Sequence, residues 1–126
     1  MKAFLPPILL LAVILTAAAV NCRTMETLTC RWSDELEQVD ALADAGDWEL
    51  AGAGLEAGYR DWSKSQSYLH IVVRHEEVDG AEAMYRRAAA FAQTQELSEF
   101  RAELADLRSQ LLLIAEMEQV NARNIL

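Results

Sequence analysis

His75, Glu77, Asp79 and Glu82 come closer to chemistry, by type and spacing, than any other group in this sequence. One imidazole and three carboxylates so close together are the donor set of a divalent-metal site or of a proton-transfer pair. On a continuous helix His75, Asp79 and Glu82 are four and three residues apart and share a face, whereas Glu77 points elsewhere. A catalytic metal usually takes three protein ligands and keeps one position open. His75, Asp79 and Glu82 are therefore the candidate ligands of a metal-ion or ligand sensor. Two features argue against it. The segment reads HEEVD, without the closing histidine of a zinc-protease HExxH. His70 lies five residues earlier, about 140° round a helix. The competing reading makes His75, Glu77 and Asp79 a structural polar cluster, with the imidazole packed at a helix junction and bonded to a carboxylate or a terminal carbonyl. The sequence favours that reading, so no catalytic residue, metal or cofactor is assigned.

Other catalytic patterns fare no better. No serine lies in a G-x-S-x-G elbow. The glycines of GAGLEAG (residues 52–58) follow no strand, and there small side chains suit close helix contact rather than a phosphate cradle. A working carboxylate pair needs surroundings that drive two pKa values apart. Every acidic residue here falls in a stretch that reads as solvated. The expectation is a protein that is not an enzyme.

The elements that would position these residues begin with an anchor. Residues 3–22, AFLPPILLLAVILTAAAVNC, carry no charge. As a helix they rise about 30 Å, the thickness of a hydrocarbon core. Pro6 and Pro7 fall in the first turn, where a missing amide donor costs least. The run exceeds the usual h-region of a signal peptide. Residues 1–23 are therefore read as an uncleaved signal anchor in the cell membrane. Lys2 and the terminal amine keep the amino terminus cytoplasmic, and the domain at 24–126 lies outside. Two alternatives stand beside it: secretion after cleavage near Ala19, and a lipoprotein ending at Cys22, where Asn21 fits a lipobox poorly. All three export the rest of the chain.

That rest holds all twenty acidic residues and ten of the eleven basic ones, a formal charge of −10. Such a balance excludes nucleic acid as a partner and disfavours adhesion to anionic lipid. Cys22 and Cys30 on one helix would sit about 12 Å apart, beyond disulfide range.

Beyond the anchor apolar residues recur at helical spacing and proline is absent. Leu28, Trp32, Leu36, Val39 and Ala43 make one face of a first helix that nothing separates from the anchor. Gly46 fits the left-handed position after a helix, and Asp47 fits the cap of the next. The second helix begins at Trp48 and ends near Lys64, or runs on towards His75. Ile71, Val72 and Val73 have no strand to pair with. A phase slip between Val73 and Val78 places a bend between about 74 and 80. A third face follows at Val78, Ala81, Tyr85, Ala88 and Ala92. Leu97, Phe100, Leu104, Leu107, Leu111 and Ile114 form the seam of a coiled coil or antiparallel bundle. Leu112 and Leu113 widen it towards a second neighbour. Trp32, Trp48 and Trp62 are the expected aromatic core, each worth about 3 kcal/mol or more when buried. The fold class is all-α: an N-terminal transmembrane helix followed by a small antiparallel bundle of three to four helices.

The segment GDWELAGAGLEAGYRDW (residues 46–62) is similar to a tetratricopeptide hairpin, but no second copy follows at a spacing of about 34 residues. A wider likeness runs over nearly the whole chain. An amino-terminal anchor, Asp47-Trp48, Trp62, His75, Glu77-Val78-Asp79 and the closing Asn124-Ile125-Leu126 resemble the bacterial family catalogued as domain of unknown function 4363, small membrane-anchored proteins of Gram-positive bacteria. Leu126 stands where a phenylalanine is expected. The resemblance implies no activity, cofactor or catalytic residue. It implies a shared role for His75, Glu77 and Asp79, if only in folding. With a turn beginning near Glu76, Asp79 would bond free amides at the start of the next helix and His75 would close the one before. The expected function is that of an accessory module binding a protein, with an integral membrane protein among the candidates.

Overall fold

The computed structural model describes residues 2–125. A 3-10 turn at Lys2–Phe4 leads into α1 (Leu5–Asp44), followed by α2 (Trp48–Lys64), α3 (Gln66–Val72), α4 (His75–Gln93) and α5 (Leu97–Ile125). No strand occurs among the described residues. The prolines open α1 at its first two positions, and the helix then runs unbroken for 40 residues, about 60 Å. Anchor and first bundle helix are one rod, as the uninterrupted spacing implies.

α1 packs on α2 and α5, and α4 closes the square by packing on the same two helices. The chain runs up, down, up and down, with α3 bridging α2 and α4. One seam of α1 faces inward: Met25, Thr29, Trp32, Leu36, Val39 and Ala43 are buried. α5 answers with Phe100, Leu104, Leu107, Leu111 and Ile114, all buried. Opposite stand Leu55 and Trp62 of α2, and Val78, Ala81, Tyr85 and Ala88 of α4. The helices α1 and α2 approach closely because glycine faces the contact. A Cβ on Gly54 would stand 3.0 Å from Val39 Cγ2, and one on Gly58 would stand 3.6 Å from Glu35 Oε2.

Two turns share one design. After α1, Gly46 takes φ +83°, its amide reaches the Ala43 carbonyl (2.9 Å), and the Asp47 amide reaches that of Leu42 (3.0 Å). Asp47 then accepts from the Leu50 amide at 3.1 Å, capping α2. After α4 the pattern recurs without a glycine. Gln95 takes φ +54°, and the Glu96 amide bonds the Phe91 carbonyl at 3.0 Å. A side chain in this left-handed region costs about 1–2 kcal/mol.

The second helix ends at Lys64, the nearer of the two ends the sequence leaves open, and the chain stays helical through α3. The break falls at Val73 and Arg74, both extended, at the near edge of the 74–80 window, and α4 runs unbroken from His75. Leu112 and Leu113 meet no second neighbour and remain 44% and 43% exposed. α5 reaches its two neighbours through Leu111, Ile114 and Ala115, so the extra leucines fall on its outer side.

The two turns make a paired prediction. Gly46→Ala places a Cβ in open space but in a left-handed backbone, and unfolding free energy falls by about 1 kcal/mol. Gln95→Gly relieves the same strain and raises it by about 1 kcal/mol. Urea unfolding of the full chain in detergent micelles, followed by circular dichroism, reads both signs.

Candidate functional site

The residues singled out by the sequence are divided by α4 rather than gathered. His75 is the first residue of that helix; it is exposed, and its ring lies 4.6 Å from that of His70 at 36°. The bend inferred near residue 74 brings the two imidazoles together, which a continuous helix would not. Glu77 turns inward to α5. Gln110 Nε2 donates to its carboxylate at 2.7 Å and to its carbonyl at 3.2 Å. Asp79 is exposed and has no side-chain partner among the described residues. Glu82 faces α2, accepting from Tyr59 Oη (2.9 Å), Gln66 Nε2 (3.4 Å) and Arg86 (3.1 Å). The Tyr59 hydroxyl holds its carboxyl below the usual range, with Arg86 adding to the effect against a smaller cost of burial. Glu82 is thus a tie between α2 and α4, not merely half of a surface pair with Arg86.

The inferred capping role is corrected too. Arg74, the residue before α4, brings no side-chain cap, and Asp79, fifth in the helix, lies beyond the first turn, where no amide is free. Among the described residues no group of three or more His, Cys, Asp or Glu side chains is close enough to hold a metal ion. Trp32 and Trp62 are fully buried. Trp62 packs at 5.3 Å from Tyr85 and 5.9 Å from Tyr59. Trp48, half-buried, meets Phe100 edge-on at 5.4 Å. All three tryptophans belong to the one hydrophobic core, Trp32 and Trp62 within it and Trp48 packed against it.

Two polar clusters were not foreseen. The first joins α1 to α2. Arg31 grips Asp61 with two bonds of 2.9 and 2.8 Å. Beside it the Glu35 carboxyl is pushed up to about 7, first by burial, then by its hydrogen bond to Asp61 and that group's charge, with Arg31 opposing. Glu35 Oε2 and the Tyr85 hydroxyl are buried without a partner. Burial foremost, then the charges of Glu35 and Asp61, drives the tyrosine further from ionisation. Glu35 opens on a depression of about 210 Å³ lined also by Gln38, Val39, Leu42 and Gly54. A carboxyl of this kind holds a proton near neutrality. The arrangement makes the packing of α1 on α2 sensitive to pH. Its signal in the sequence is Glu35 lying three residues after Trp32 and four before Val39, on the flank of the buried stripe.

The second cluster lies where the apolar run ends. Asn21 Nδ2 donates to Glu118 Oε2 at 2.9 Å, and the Tyr68 hydroxyl donates to Asn21 Oδ1. Burial raises the Glu118 pKa, opposed by the Asn21 and Asn121 amides. Tyr68 is raised by burial and by the charge of Glu118. Three elements meet here: α1, α3 and the far end of α5. The spacing announces it, since Glu118 is the next step of four after Ile114 and Asn21 is one step of four before Met25.

The family described as a domain of unknown function, DUF4363, matches residues 20–125. The chain belongs to this family. The matched stretch begins one residue before Asn21, so the family's unit coincides with the packed bundle and leaves out nearly all of the apolar run. Comparisons with curated proteins and with solved structures return no match.

Because the Glu35 pKa is higher in the folded chain than the ordinary 4.5, the folded state holds a proton that the unfolded chain has released between pH 4.5 and about 7. This contribution to stability is complete below pH 4.5 and is lost as pH rises through about 7. Glu35→Gln keeps a donor towards Asp61 and cannot ionise. The variant should match the parent below pH 4.5 and melt higher than it at pH 8. Glu118 titrates in the same direction, but the parent–variant difference isolates Glu35. Thermal melts across that range measure it.

Proposed function

We propose that the chain is a membrane-anchored extracytoplasmic helical module that works through contact with another protein and catalyses no reaction. The observation that carries this reading is α1. Its strongly apolar window holds no buried residue, and only Leu15 and Ala18 in residues 2–20 are half-buried. The same helix continues without a joint into the core. An apolar surface of that length needs either lipid or protein around it. Lys2, and no acidic residue, precedes the run, which supports a cytoplasmic amino terminus.

The protein-contact part rests on α5. Leu112 and Leu113 are adjacent, outward and nearly half exposed, on a chain whose remaining exterior is strongly acidic. Arg87–Glu103, Arg101–Asp40 and Arg108–Glu37 fasten α5 to its neighbours elsewhere. The leucine pair is therefore not needed to hold the helix. A partner with an apolar ridge and a basic rim complements such a surface, and an integral membrane protein beside the anchor would bring it within reach.

Two measurements test this. A topology reporter fused after the carboxy terminus should be active only outside the cytoplasm; activity inside overturns the extracytoplasmic reading. A photo-reactive residue placed at Leu113 should capture a discrete membrane protein in intact cells, and Leu112→Asp should abolish that capture. Surface changes of this type alter stability by only about 0.5 kcal/mol, so the loss should come without a lower melting temperature. Capture that survives Leu112→Asp removes the leucine pair from the interface.

A further inference from the structure

The membrane end of the bundle is marked by more than the entry of α1. α5 runs antiparallel to α1 in constant register: Arg101 bonds Asp40 and Asp44, Arg108 reaches Ser33 and Glu37, and Glu118 meets Asn21. Helix α5 does not stop at Glu118. It continues past Asn124, a further ~9 Å at helical rise, along the apolar run. The run records the contact, since Leu15 and Ala18 alone among residues 2–20 are half-buried, as are Gln119 and Ala122 of α5. Yet this last stretch of α5 carries Asn121, Arg123 and Asn124, all exposed. Amides and a guanidinium do not belong in hydrocarbon, but they suit the headgroup layer, where arginine extends its charge to phosphate and water.

A second element reaches the same level. The Tyr68 hydroxyl bonds Asn21, which places α3 at this end of the bundle. Ile71 follows Tyr68 by one turn on the same side of α3 and is 83% exposed, more than any other large apolar residue among those described. Tyrosine, arginine and an outward aliphatic side chain are what a bilayer interface selects. Arg23 and Arg123 are exposed, and neither forms an ion pair among the described residues. Glu26 and Glu116 lie farther up the bundle, and Glu118 is occupied by Asn21.

From this geometry we infer that the bundle is seated on the bilayer that α1 crosses, with Ile71 and the stretch from Gln119 to Asn124 held in the lipid headgroup layer. At this register the layer also takes in α1 from about Leu15 to Asn21, so the hydrocarbon span shortens from residues 3–22 to about 3–14, and the bilayer thins locally to meet it. The inference rests on the anchor reading of α1. With no flexible joint between span and bundle, the seat fixes the height and tilt of the whole domain above the lipid.

The test uses the full chain, with Cys22 and Cys30 replaced by serine and one fluorophore-bearing cysteine placed at Leu10, Ile71, Gln95 or Asn124. The proteins are reconstituted in vesicles of phosphatidylcholine and phosphatidylglycerol in equal parts. Nitroxide lipids labelled high or low on the acyl chain, and aqueous iodide, serve as quenchers. The label at Leu10 should respond to the deep nitroxide. Those at Ile71 and Asn124 should be quenched several-fold more than Gln95 by the shallow nitroxide, and several-fold less by iodide. If Leu10 is deep but either Ile71 or Asn124 behaves like Gln95, the seat is overturned and the anchor stands. If Leu10 itself is not quenched by lipid, the anchor reading fails and takes the seat with it.

Discussion

A single helix that must satisfy two surroundings governs this molecule. For its first four turns α1 is apolar on every side and exposed on nearly all of them. From Met25 onward only one stripe is apolar, and that stripe is buried. No glycine or proline marks the change, so the backbone cannot bend there cheaply. The direction in which the helix leaves the apolar run is therefore the axis of the bundle. α5 follows that axis back along almost its whole length, α2 lies close because Gly54 and Gly58 face α1, and α4 fills the remaining corner. At the point of change the seam itself turns polar. Asn21 and Glu118 occupy facing seam positions and bond each other, a matched pair where a mismatched one would leave a buried group unsatisfied.

Charge in the interior follows the same logic of matching. Arg31 holds both oxygens of Asp61. Glu35, beside it, lacks a cation of its own and keeps its proton instead, which is the cheaper state for an acid removed from water. Glu82 goes the other way, since three donors converge on it and its ionised form is favoured. Three acids in one small bundle thus take three solutions: paired, protonated and hydrogen-bonded. Composition alone counts all three as identical negative charges.

Much of the architecture was legible because its signals are local. The step pattern of α5, the Gly46–Asp47 junction and the stripe of α1 each depend on residues within one or two turns of each other. The likeness to the family was legible for the same reason, as its motifs are short. What escaped the sequence depends on partners far along the chain. Gln95 takes a left-handed turn with no glycine to announce it, because packing of α4 on α5 outweighs local strain. Leu112 and Leu113 extend an apolar stripe by rule, but the square of helices leaves that side of α5 uncovered. Glu35 reads as solvated until Asp61, twenty-six residues later in sequence, is brought alongside.

The His75–Glu77–Asp79 pattern shows why spacing in sequence can suggest a site that geometry withholds. Residues two apart on a helix point roughly 200° from each other. Once α4 begins at His75, Glu77 points away from the face that His75 and Asp79 share, so the three cannot converge. Glu77 is left facing α5, where Gln110 spans its carboxylate and its carbonyl together. Glu82, five residues on and about 140° round, faces α2. The two carboxylates clamp α4 from opposite flanks immediately above the extended joint at Val73 and Arg74. That joint has no side-chain cap of its own. The polar groups that looked like ligands instead supply the tertiary restraint which the local sequence of the joint lacks, and α4 can start sharply after α3 because both of its flanks are already fixed.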